Sequence, residues 1–158
     1  MSYGTSSGTL PIINDGQVGF TTQVNITQEI TIPIRSAFTT NTIAEITLNP
    51  GVYIITGQVS GQPTGAPPGG GNMYYNIFFS ETNNVASSNK EGRTDGYPVK
   101  ACTNFFLSFG NINHYFRDTI THTVTVATRK TLYFHISIIS VSDLKIVSGN
   151  VISATRIA

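Results

Sequence analysis

A chain of 158 residues with 11% charged side chains and a formal net charge of +1 carries neither a basic stripe nor an acidic tail, so a nucleic-acid or membrane-surface partner has no electrostatic basis. The length suits one domain with one core. No apolar run reaches membrane-spanning length, so no membrane insertion is expected, and Met1–Gly8 lacks the basic and apolar regions of a secretory signal.

Residues 1–15 are rich in Gly, Ser and Thr and read as a flexible lead-in or stalk remnant, closed by an Asp15-Gly16 turn signal. Residues 16–158 read as one β domain. Val24, Ile26, Ile30 and Ile32 alternate with polar residues, with Gln28 as the exception on the apolar face, and Pro33 ends that strand or marks an edge. Ala44, Ile46 and Leu48 share a face before the turn Asn49-Pro50-Gly51. Val52–Ile55 is apolar on both faces, the pattern of a central strand packed on two sides. Residues 61–72 read as a long Pro/Gly loop, and 81–98 as a second, polar loop.

Met73–Ser80 and Phe105–Phe109 return to strand pattern. Thr119, Thr121, Thr123 and Thr125 then alternate with Ile120, His122, Val124 and Val126, the cleanest period of two in the chain. Two apolar runs close the sequence, Leu132–Ile139 and Ile146–Ala158. Runs this apolar would be an aggregation hazard as exposed edges, so both are expected inside a sheet. No stretch shows a helical period. About eight strands result, and they fit an all-β, single jelly-roll sandwich.

Two stretches carry a family resemblance. Ile46-Thr47-Leu48-Asn49-Pro50-Gly51-Val52-Tyr53-Ile54-Ile55-Thr56 resembles the strand, Pro-Gly turn and aromatic-bearing central strand of C1q/TNF-like trimeric jelly-roll heads. Leu132-Tyr133-Phe134 with Ser148–Ile157 resembles the penultimate and final strands of such heads, as found on viral or phage fibres and collagen-like stalk proteins. The resemblance implies a homotrimer with the C-terminal strand near the three-fold axis. It also implies a virion or particle-surface location and recognition of a host-cell receptor or glycan by exposed loops. The surplus of two-sided apolar strands agrees with burial between subunits.

The expected function is therefore non-enzymatic host attachment by a fibre head. The alternative is a structural capsid, decoration or spore-coat subunit. Candidate ligand-binding residues are Arg93, Asp95, Tyr97, Asn111, Asn113, His114 and Tyr115, whose aromatic faces, amides and charges match the chemistry that holds sugars and polar epitopes. No catalytic residue, metal site or cofactor is expected. His114, His122 and His135 fit no chelating spacing, Cys102 stands alone, and no nucleophile elbow or carboxylate pair is visible. His122 reads as a buried, hydrogen-bonded side chain, and Arg156 as the partner of Glu45 or Glu29.

Overall fold

The computed structural model describes residues 16–33, 35–64, 71–83, 102–109, 115–140, 142–147 and 149–158. The lead-in 1–15 and most of the 81–98 loop lie outside them. Ten strands are described: β1 (Thr21–Ile26), β2 (Ile30–Ile32), β3 (Arg35–Leu48), β4 (Gly51–Thr64), β5 (Gly71–Ser80), β6 (Cys102–Phe109), β7 (Phe116–Val126), β8 (Lys130–Ser140), β9 (Asp143–Ile146) and β10 (Gly149–Arg156).

They form two antiparallel sheets in a β-sandwich. The first is built on β4. One side of β4 pairs with β7 from Gly51 to Gly61. Its other side is shared, by β10 from Tyr53 to Gly57 and by β9 from Gly61 to Thr64. β1 flanks β10, and β2 flanks β9. The second sheet runs β3-β8-β5-β6.

The alternating strands put one apolar face of each sheet against the other. Tyr53, Ile55, Ile152 and Ala154 from the first sheet and Met73, Ile77, Phe79, Leu132, Phe134 and Ile136 from the second are at most 1% exposed. Burying each large apolar side chain contributes roughly 1.5–3 kcal/mol. The Phe79 and Phe134 rings pack with centroids 5.1 Å apart. They lie over Gly57, where a Cβ would stand 2.5 Å from Phe134 and 2.8 Å from Phe79. A side chain at position 57 would push the sheets apart, so the glycine sets their spacing.

Both C-terminal runs are interior strands. β8 lies between β3 and β5, and β10 between β1 and β4. Pairing continues to the last residue: Val52 N–H donates to the Ala158 carbonyl at 2.7 Å, and Ile157 N–H donates to the Val52 carbonyl at 2.7 Å.

Four sequence expectations need correction. The first long strand is two strands, because Thr27–Glu29 turns the chain where Gln28 interrupts the apolar face. The 61–72 loop is shorter than its composition suggests. β4 runs through Pro63 to Thr64, and β5 starts at Gly71. Pro63 pairs with Leu144 of β9 and lies beyond the last described pair with β7. β3 begins at Arg35, well before Ile43. A register shift between Thr42 and Ala44 then brings Ile43 inward along with Ile46 and Leu48. Arg156 has no carboxylate partner among the described residues. Its Nη1 donates to the Pro50 carbonyl at 2.6 Å, and the guanidinium lies 5.8 Å from the centre of the Tyr53 ring. Glu29 pairs instead with Lys145, at 3.2 Å.

Candidate functional site

On the outward positions of β7, β4, β10 and β1 the one described charge is Arg117. Thr119, Thr121, Thr123 and Thr125 of β7 stand beside Thr56 and Gln58 of β4, then Ser153 and Thr155 of β10, then Thr21 and Gln23 of β1. Hydroxyl pairs bridge neighbouring strands, Thr21 with Thr155 at 2.8 Å and Thr56 with Thr121 at 3.2 Å. At one end the face turns apolar. Ile54 and Ile157 are 40% and 41% exposed, and Val52 lies between them in register. The two-sided apolar run Val52–Ile55 therefore has only its inner side, Tyr53 and Ile55, buried within the chain.

At the opposite end the sheet has a notch. β10 leaves β4 after Gly57 and β9 joins it at Gly61, so Gln58, Val59 and Ser60 have no strand partner on that side. The chain between β9 and β10 is anchored there by one bond, Val147 N–H to the Ser60 carbonyl at 2.9 Å. The notch is a cleft of about 270 Å³ with Gln58, Ser60 and Arg117 at its polar rim and Ile146, Val147 and Val151 as apolar lining. Ile146 and Val151 are buried. Arg117 sits directly across from Ser60 in register, and its Nε donates to Ser60 Oγ at 3.2 Å. The neighbouring carboxylate, Asp118, points to the opposite face and accepts a hydrogen bond from the Tyr75 hydroxyl. Burial, reinforced by that carboxylate, pushes the Tyr75 phenol above its usual range.

The second sheet holds a buried polar network on its outer face. His135 is fully buried, with Nδ1 3.1 Å from Thr42 Oγ1 and Nε2 2.7 Å from Ser80 Oγ. Ser80 Oγ donates to the Thr82 carbonyl at 2.6 Å, and Thr42 Oγ1 lies 2.8 Å from Asn83 Oδ1. His135 so ties β8 to β3, to the end of β5 and to the turn that follows. Burial lowers its pKa from 6.5 to about 4, against a smaller opposing effect of the Thr82 backbone, so the ring is neutral near pH 7. A serine beside a histidine suggests a nucleophile and base, but Ser80 is itself fully buried and its proton is engaged by Thr82. The arrangement is structural.

Of the residues singled out from the sequence, Arg93, Asp95, Tyr97, Asn111, Asn113 and His114 lie outside the described residues. Tyr115 precedes β7 and is 72% exposed. His122 is half-buried on the inner side of β7, with no hydrogen bond among the described residues, so the fully buried histidine is His135 and not His122. The Cys102 side chain also lies outside the description. Among the described residues no three His, Cys, Asp or Glu side chains gather into a metal-binding group, and no helix is long and apolar enough to cross a membrane. Sequence reasoning passed over Arg117 and the notch. The available signal was a single arginine sharing a face with the threonines of an alternating strand.

No family model matches the chain, and no curated protein matches it at a significant level. Among solved structures, that of infectious bursal disease virus, Gx strain, aligns with 99% of this chain and 46% of its own, at 9% identity and a TM-score of 0.28. The chain thus spans less than half the length of that structural neighbour, and the TM-score is too low to establish a common fold.

Proposed function

We propose that the chain is a jelly-roll subunit of a particle or fibre, working by packing against copies of itself rather than by catalysis. The strand order supports the jelly-roll reading: β1-β10-β4-β7 faces β3-β8-β5-β6, two four-stranded antiparallel layers, with β2 and β9 as short additions. Fold alone does not assign a role. The observation that carries this one is the outer face of the first sheet, where Val52, Ile54 and Ile157 form an apolar patch set in a threonine-rich, almost chargeless surface. Hydroxyls desolvate at far lower cost than charges, and charged residues are depleted from the cores of protein interfaces. A copy of the same chain, equally neutral, is the partner such a face accepts without an unpaired charge. A homotrimer of the C1q/TNF-like kind is the assembly the sequence resemblance favours.

Thr123 pairs directly with Ile54 and points outward. Thr123→Glu should therefore convert the assembled protein to monomer in sedimentation velocity with an unchanged circular dichroism spectrum. An assembly unaffected by this charge contradicts packing through this face.

A second reading is attachment, in which the particle recognises a host-cell receptor or glycan. The notch at the far end of the sheet favours it, because the cleft stays open when the Ile54 end is covered. Arg93, Asp95, Tyr97, Asn111, Asn113, His114 and Tyr115 are the loop residues proposed to extend such a contact.

A further inference from the structure

We infer that the notch between β4, β7 and β10 is a binding subsite for a carboxylate-bearing monosaccharide, with Arg117 as its anion-binding residue. The inference rests on the attachment reading and names the ligand class. Arg117 is the one charged side chain among the outward residues of β4 and β7. Its single described hydrogen bond is made through Nε to Ser60, which fixes the plane of the guanidinium and leaves the two terminal nitrogens without a partner among the described residues. A planar fork of two free N–H groups is the arrangement that grips a carboxylate in bidentate fashion. No described carboxylate fills that role: Asp118 is committed to Tyr75 on the inner face, and the two described acid–lysine pairs use Glu81 and Glu29.

The rest of the lining selects a sugar over a bare anion. Gln58 supplies an amide that donates and accepts, and Ser60 a hydroxyl, both suited to ring hydroxyls. Val147 and Val151 give an apolar surface against which a ring face or an acyl methyl can rest. The volume of about 270 Å³ lies just below the roughly 300–1,000 Å³ of ligand pockets, so the cleft suits at most one sugar residue. The remaining sugars of a glycan would lie on the neutral threonine face.

The test is ligand-observed NMR and titration on the full chain, with the α-methyl glycoside of N-acetylneuraminic acid, methyl glucuronide, methyl galactoside and sodium acetate as probes. At least one acidic sugar should bind, at least tenfold more tightly than methyl galactoside and acetate, with shifts at the Gln58 side-chain amide. Arg117→Gln should abolish this, and Arg117→Lys should weaken it by keeping the charge but losing the fork. Arg117 is exposed, so both variants should keep the wild-type unfolding midpoint. Equal affinity for acetate, equal affinity for the neutral sugar, or unchanged binding in Arg117→Gln would each overturn the assignment. Glycan-array binding that persists in Arg117→Gln would overturn this subsite and leave attachment standing. A wild-type protein that binds no glycan would overturn both.

Discussion

His135 shows how one side chain can make the fold sensitive to acid. The ring is held neutral between Thr42 and Ser80, with a pKa of about 4 against 6.5 in the unfolded chain. Between these values the unfolded state takes up a proton that the folded state does not. Stability should therefore be fully present above pH 6.5 and fall as pH drops toward 4, by up to about 3 kcal/mol at about 1.4 kcal/mol per unit. Urea midpoints at pH 7.5 and pH 4.5 would check this: His135→Gln should be less stable than wild type at pH 7.5 but should lose less on acidification. A wild-type loss that His135→Gln reproduces in full would assign the acid sensitivity to other groups. This residue was not legible as buried. In sequence it alternates with Leu132, Phe134 and Ile136 and shares a face with Tyr133 and Ser137, which marks the side away from the sandwich core. That side is buried as well, at His135, Ser137, Asn76 and Phe78. Part of the apolar surplus once assigned to subunit contacts is thus absorbed within a single chain.

Strand elements were legible wherever one face is apolar and the other polar. β7 is the clearest case, because threonines on its open side leave the period of two undisturbed. β3 was legible only at its end. Its first half, Arg35–Thr42, has Ala37 and Phe38 adjacent and no alternating apolar face, and the shift after Thr42 breaks the alternation further, so pairing with β8 and not pattern defines it. β4 was cut short in the sequence reading because Gly61 and Pro63 carry the composition of a loop. Pairing with β9 overrides that composition. Contact across the sheets at Gly57 gives a pair of element-scale predictions. Gly57→Ala should lower stability by roughly 1–3 kcal/mol through overpacking, and Phe134→Ala by roughly 3–5 kcal/mol through the cavity it leaves. In the double variant the two effects should compensate in part, because loss of the ring removes the closest clash with the new Cβ. Denaturant midpoints of the three variants test this coupling, and strictly additive losses would contradict the proposed spacing role of Gly57.

For the whole molecule, the two proposed roles fall at two ends of one sheet. The Val52–Ile54–Ile157 end is apolar and suits a copy of the chain, while the notch end is polar, carries the charge of Arg117 and suits a ligand. The all-β sandwich class was legible from patterning, although ten strands are described where about eight were expected. The site was not, since the notch arises where β10 departs from β4 and β9 replaces it, a property of pairing between residues far apart in sequence. Assembly through the neutral face is the central claim, and the absolute mass in solution tests it most directly. Multi-angle light scattering after size exclusion, over a dilution series at pH 7.5, should give a constant mass near three times the 17.0 kDa chain. A mass of one chain at every concentration would contradict self-assembly and leave the apolar end of the sheet without the partner assigned to it.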